Sequence, residues 1–324
     1  MLFSICIPSH NRGHMAIRLV KELLEMPWDE HEIEIICSNN GSDKYIEEYQ
    51  EIKRIKDKRL QYHEFESNQG FARNVNQVIK MSRGDFCMLL SDEDGILPDN
   101  LKNYLLFLDM HPELSLVKGC TSFVYSDLQT QYFSYTEEAV DGYYLMGNYI
   151  SGTIYNRKII SNELIEEYEK RYHENEAYIY YVHLFLDTYA LLHGSFCCSD
   201  LLLIEEGAPA DSFDSGAESP DPTVPVFGTY ESRIAQMHGF LEHVRDLDLK
   251  PTLVFQMLGR VIERIAEWIN IQKDKYISHG DDWGKIMELT ADQMYSEVWQ
   301  TGHMLGQDEM DLLNEYIGVL CQVS

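Results

Sequence analysis

Over the first 110 residues, short apolar runs alternate with stretches whose apolar residues recur every three or four positions. The runs at 2–8, 33–38, 60–65 and 85–90 have strand length. The first, second and fourth are mostly apolar, as in strands covered on both faces. Between them, Ala16, Leu19, Val20, Leu23 and Leu24 stripe one helix. Tyr45, Ile46, Tyr49 and Ile52 stripe a second, and Phe71, Val75, Val78 and Ile79 a third. Strands joined by helix-length crossovers predict an α/β fold with a mostly parallel sheet and helices on both faces.

Beyond residue 110 the pattern loosens. Strands are expected at 114–120, 122–126, 131–135 and 195–204, with a strand running into a helix over 149–160 and a long helix over 175–193. Residues 207–228 are rich in Pro, Gly, Ser and Asp and predict a loop. After it, Val254, Leu258, Val261, Ile265, Trp268 and Ile269 line one helix face. The expected division is an α/β domain over 1–228 and a helical C-terminal domain over 229–324.

Composition changes this picture little, but charge limits the partners. The 324 residues are 44% apolar and 25% charged, with 26 Lys+Arg against 54 Asp+Glu, a net charge of −28. Residues 1–110 hold 13 of the basic and 19 of the acidic side chains, so most of the excess lies later. Such a chain repels phosphate polyanions and anionic lipid, which excludes nucleic acid as an electrostatic partner and leaves at most peripheral membrane contact. Seven cysteines without a CxxC pair suggest a reducing compartment. The chain enters a strand at once and has no apolar run of about 20 residues. A cytoplasmic protein is expected, at most peripheral at the inner face of the membrane.

Candidate chemistry gathers where the parallel strands end, the side on which such sheets bind ligands. The first four strands are followed by "PSHNR" (8–12), "SNNGSD" (38–43), "NQGFARN" (68–74) and "SDEDG" (91–95). Each alone reads as a turn or a solvated surface; together they would share one rim. Asn39 and Asn40 offer the donor and acceptor that a pyrimidine edge needs, and His10 a ring to stack on a base. Arg12 and Arg73 supply cations for phosphates. Asp92, Glu93 and Asp94 are consecutive carboxylates that can hold a divalent metal, which in turn binds a diphosphate. Neither GxGxxG nor GxxxxGK[ST] occurs, so a dinucleotide-binding or P-loop mechanism has no support.

In order and spacing these segments resemble the inverting GT-A glycosyltransferases of the family-2 type. "FSICIPSHNR" is similar to their opening strand, "IEIICSNNGSD" to their second, "SNQGFARN" to their Ala-Arg-Asn segment and "LLSDEDGILP" to their DxD motif. The resemblance is strong over 1–110 and looser to about 205. It implies a nucleotide-diphospho-sugar donor, with a UDP-sugar foremost, a Mg2+ or Mn2+ ion, and single displacement with inversion onto a glycan or lipid-linked acceptor. Residues 1–110 would bind the nucleotide-sugar and 111–228 the acceptor. Pro8, Ser9, His10, Asn11, Arg12, Asn39, Asn40, Arg73, Asp92 and Glu93 would form the donor site. Asp94 would be the chief metal ligand, with Asp92 beside it.

Two departures from the family pattern stand out. Relatives commonly carry an acidic pair where this chain has Asn39-Asn40. They often carry a basic Asp eleven residues before a helix-ending glycine, where counting back from Gly194 reaches His183. His183 is either the general base or a packed ring in an aromatic helix. Asp187 and Glu176 are its substitutes. A sugar nucleotidyltransferase, or a non-catalytic nucleotide- or glycan-binding module, remains an alternative. The C-terminal helices offer a surface for self-association into a homo-oligomer.

Overall fold

The computed structural model describes residues 1–28, 32–121, 131–133, 136–145, 149–207 and 227–322. Four strands, β1 (Leu2–Ser9), β2 (Glu32–Asn39), β3 (Leu60–Glu64) and β4 (Phe86–Leu89), form a parallel block in the order β3-β2-β1-β4. Register pairs Ser9 with Asn39 and Asn39 with Glu64, so three strands end level on one edge. The crossovers are α1 (Gly13–Glu25), α2 (Ile46–Arg54) and α3 (Phe71–Met81).

Alternation along the strands divides the core. Phe3, Ile5 and Ile7 of β1, Ile33, Ile35 and Cys37 of β2, and Phe86 and Met88 of β4 point to one side. There they join Leu19 and Leu23 of α1 and Tyr49 and Ile52 of α2 in one buried cluster. Cys6 points to the other side, where its Sγ lies 3.4 Å from the Val78 carbonyl of α3. Helices therefore cover both faces. Burying one large aliphatic or aromatic side chain contributes roughly 1.5–3 kcal/mol, so this cluster accounts for much of the stability of the block.

The chain continues through β5 (Gly95–Ile96), α4 (Pro98–Met110), β6 (Leu114–Thr121), β7 (Gln131–Phe133), α5 (Thr136–Tyr143), β8 (Thr153–Asn156), α6 (Asn162–Tyr172), α7 (Glu176–His193) and β9 (Ser195–Glu205). The sheet runs β3-β2-β1-β4-β8-β6-β9-β5, with β7 on β9. Here it is mixed: β8 lies antiparallel to both β4 and β6, while β6 and β9 are parallel. An apolar run buried on both faces looks the same in either direction, which is why the antiparallel β8 could not be told from a parallel strand. The helix expected over 175–193 is α7, with non-helical backbone at Tyr181. The strand expected at 122–126, and residues 208–226 of the expected loop, lie outside the described residues.

Contacts divide the chain into two compact units. The first comprises 1–139, 147–173 and 179–221; the second comprises 140–146, 174–178 and 222–324. The second unit is built mainly from α8 (Tyr230–Asp246), α9 (Pro251–Ile271), α10 (Lys273–Ser278), α11 (Trp283–Thr301) and α12 (Gln307–Leu320). Val254, Leu258, Val261, Ile265 and Ile269 of α9 are all fully buried, as their spacing predicts. The buried Glu297 of α11 is held by His238 and Arg245 of α8 at 2.5 and 2.6 Å.

Candidate active site

Ser9, the last residue of β1, is the junction of the rim. Its Oγ donates to Asp92 Oδ2 at 2.5 Å and lies 2.6 Å from the Tyr49 hydroxyl. Since the serine proton goes to the carboxylate, Tyr49 must donate to Ser9, and Tyr49 in turn accepts from the Arg12 backbone N–H. Burial pushes the Tyr49 phenol up to about 12, so it stays a neutral relay of hydrogen bonds. The Ser9 carbonyl accepts from Asn40 N–H and from Asn74 Nδ2. One serine thus ties together the residues that follow β1, β2 and β4 and the first turn of α3.

The acidic triplet is not simply a solvated turn. Asp92 and Asp94 are fully buried. The Arg12 guanidinium spans Asp92 at 2.8 Å and Glu93 at 2.6 Å, while Arg18 reaches the Glu93 carbonyl. Burial raises the Asp92 carboxyl above its ordinary range, with Arg12 and Ser9 opposing it, and raises Glu93 in the same way. Asp94 is held differently, by neutral donors alone. Tyr149 OH lies 2.9 Å from both its oxygens, Ser151 Oγ 2.5 Å from Oδ2, and Gly207 N 3.1 Å from Oδ1. An added Cβ at Gly207 would fall 1.9 Å from the Glu93 carbonyl oxygen, so only glycine lets the backbone approach this closely.

The asparagine pair faces inward. Asn39 Oδ1 accepts from Ser42 N and its Nδ2 donates to Glu64. Asn40 Nδ2 donates to Asn68 Oδ1 and to the Gly70 carbonyl, while its Oδ1 accepts from Gln69 N. These amides shape the loops after β2 and β3. His10 Nδ1 lies 3.0 Å from the Asn40 carbonyl and Nε2 lies 3.3 Å from Asn68 Nδ2, an arrangement that places the proton on Nδ1 of a neutral ring. Burial lowers the pKa of His10, in keeping with that state. Asn11, at φ 55°, accepts from Asp43 and Lys44 N–H. Pro8 is buried in β1 opposite Ser38. Arg73 is exposed in the first turn of α3, bonded to Gln69. Among the described residues, no hydrogen bond joins Asp94 to Arg73 or to the asparagine pair.

The three candidates for a base differ sharply. Asp187 is buried, with Oδ2 2.6 Å from Lys118 Nζ and Oδ1 accepting from Tyr155 OH at 2.7 Å; burial raises its pKa against the pull of Lys118. His183 is 2% exposed and meets Phe71, the first residue of α3, edge to face. Glu176 has its pKa raised by burial.

The donor set suits a hard cation. The three consecutive carboxylates have, among the described residues, one guanidinium between them, that of Arg12, and Asp94 is bonded by neutral donors alone. Among the described residues, no three His, Cys, Asp or Glu side chains form a ready-made cage. Magnesium-type sites do not require one, since they use one or two carboxylates and complete the shell with water and substrate phosphates.

Sequence reasoning missed Tyr49, Tyr149, Ser151 and Gly207. Tyr149 and Ser151 sit in the 149–160 segment that reads as a strand running into a helix, whereas β8 itself begins at Thr153. The β4–β8 pairing is what brings them to Asp94.

Residues 4–164 match the family model described as glycosyl transferase family 2. WcaA of Escherichia coli, provisionally assigned as a colanic acid biosynthesis glycosyl transferase, is 26% identical over 164 residues, covering 50% of this chain and 56% of that protein. The abequosyltransferase RfbV of Salmonella typhimurium is 27% identical over 117 residues, 36% of this chain and 35% of its own length. The chain thus spans little more than half of one relative and about a third of the other. Among solved structures, residues 1–349 of S. aureus TarS in complex with UDP align with a TM-score of 0.60 at 15% identity, over 99% of this chain and 88% of that one. Mannosyltransferase PcManGT from Pyrobaculum calidifontis, in complex with GDP-Man and Mn2+, aligns at 0.51 and 12% identity, over 99% and 80%. At these identities the likeness is one of fold.

Proposed function

The chain belongs to glycosyl transferase family 2, with a GT-A fold, and from that premise we propose that it moves a sugar from a nucleotide-diphospho-sugar to a hydroxyl of a glycan or lipid-linked acceptor, with inversion. The setting we propose is surface polysaccharide synthesis, in the cytoplasm or at the inner face of the membrane. Among the described residues no disulfide joins the cysteines, and no helix is long and apolar enough to cross a membrane. A UDP-sugar is the favoured donor, because the TarS fold neighbour was captured with UDP. Residues 1–110 would bind the donor, 111–228 the acceptor, and 229–324 would form a helical domain whose exposed Trp299, Leu312 and Val319 suit self-association.

The observation that carries this reading is the junction at Ser9, where the ends of β1, β2 and β4 meet beside three carboxylates and one guanidinium. Pro8, Ser9, His10 and Asn11 would line the donor site. Asn39 and Asn40, with their amides engaged, would set the shape of the base pocket rather than read the base directly. Exposed Arg73 would take a phosphate oxygen, while Arg12 would orient Asp92 and Glu93. Asp94, with Asp92, would hold Mg2+ or Mn2+, and when bound the ion supplies positive charge to the diphosphate leaving group. An imidazole nitrogen of His183 would take the acceptor proton.

The test is hydrolysis of a panel of UDP-sugars and other nucleotide sugars by the wild type and by Asp94→Asn, with and without Mn2+. The expected result is slow, metal-dependent cleavage of one donor, reduced roughly hundredfold or more in the variant. Equal cleavage by both proteins would remove Asp94 from the mechanism. Donor binding without turnover on any acceptor would favour a binding module.

A further inference from the structure

Among the described residues, Asp94 is the one member of the acidic triplet without a cation partner. Asp92 and Glu93 share Arg12, whereas among the described residues Asp94 has only Tyr149, Ser151 and the Gly207 N–H. An ionised carboxylate offers about four lone-pair sites. Here Oδ1 accepts from Gly207 N–H, Oδ2 accepts from Ser151, and the single Tyr149 proton is shared between the two, so three donors cover both oxygens. A cation seeking this charge must first displace a donor.

The three donors are not equally movable. The Gly207 N–H belongs to backbone packed against the Glu93 carbonyl. Ser151 Oγ accepts from Ser91 N at 2.8 Å, which directs its own proton to Asp94. The Tyr149 hydroxyl straddles both oxygens at 2.9 Å, so a single side chain covers the two atoms that would hold a cation. We propose that Tyr149 and Ser151 form a hydroxyl latch that competes with a divalent cation for Asp94, so that metal binds only at the cost of opening it. This rests on the reading of Asp94 as a metal ligand. Both are positioning residues: they act on the metal through the carboxylate, and neither ligates it. The latch would keep the carboxylate ordered and the metal weakly held until a diphosphate adds its own oxygens to the shell.

The test is a Mn2+ titration followed by the electron paramagnetic resonance signal of the free ion, with and without UDP, on wild type, Tyr149→Phe, Ser151→Ala and Asp94→Asn. Removing one charge-assisted hydrogen bond that opposes the metal should tighten Mn2+ binding about tenfold in Tyr149→Phe, and in the same direction in Ser151→Ala. Thermal melts should show both variants less stable without metal and more strongly stabilised by Mn2+. A merely structural role would lower stability without any gain in affinity. Unchanged or weaker Mn2+ binding in Tyr149→Phe, with wild-type binding intact, overturns the latch and leaves the metal reading standing. If Tyr149→Phe does not fold, Ser151→Ala decides by the same criterion. Binding of Mn2+ by none of the proteins, even with UDP, overturns the metal reading and the latch with it.

Discussion

At the scale of single residues, burial and hydrogen-bond saturation separate structural groups from candidate chemical ones. Asp187 has both oxygens spent on Lys118 and Tyr155, and Lys118 also donates to Thr153. It therefore joins β6, β8 and α7 rather than serving an acceptor. Replacing it with Ala strands the buried ammonium of Lys118 and should cost about 3–5 kcal/mol in urea unfolding. His183→Gln should leave the unfolding midpoint and donor KM near wild type, while kcat falls about 10²-fold or more. Equal stability losses in the two variants would mark His183 as a packed ring. The rim itself was legible in the sequence, because polar residues after parallel strands converge whatever the loops do. The direction of each side chain was not. Asn39 and Asn40 read as base contacts, yet Ser42, Glu64, Asn68 and Gly70 consume their amides.

At the scale of elements, the N-terminal block is clamped at the edge opposite the rim. Buried Glu34 of β2 accepts from Ser4 of β1, from Gln61 of β3, from the Arg83 guanidinium, and from the Arg83 and Gly84 N–H groups that precede β4. Burial alone would raise its pKa, but these donors outweigh burial and hold the carboxyl below its ordinary value of 4.5. A depressed pKa means that the unfolded chain takes up the proton more readily than the folded one. The stabilisation is therefore complete above the ordinary carboxylate range and fades as pH falls through the lowered folded value. Glu34→Gln should lose stability at pH 7 and show a shallower acid decline than wild type in thermal melts from pH 7 to 3. A parallel decline in both would exclude Glu34 as the cause. The first four strands could be read from apolar runs of fixed length, because a helix-length stretch separates each from the next, although β4 pairs with β1 and not with β3. Insertion of β8 between β4 and β6 could not, since an apolar run names neither its partner nor its direction. That pairing delivers Tyr149 and Ser151 to Asp94, which is why half of the acidic site was invisible in the sequence.

At the scale of the whole molecule, a net charge of −28 sets how a dianionic donor arrives. Long-range repulsion opposes the approach of a nucleotide-diphospho-sugar, and the local cations Arg12 and Arg73 act only at short range. Arg12 is already paired with Asp92 and Glu93. Raising ionic strength from about 0.01 M to 0.15 M shortens the screening length from about 30 Å to about 8 Å, which removes the distant repulsion and spares close contacts. For the proposed transferase, donor KM at saturating Mn2+ should therefore fall as NaCl is added, opposite to the trend of a basic phosphate-binding site. Glu93→Gln takes one negative charge from the rim and should show a smaller fall. Steady-state kinetics across a salt series measures both. A KM that rises with salt in the wild type would mean that donor capture is governed by the arginines at the rim, and that the acidic excess, concentrated after residue 110, does not reach the site.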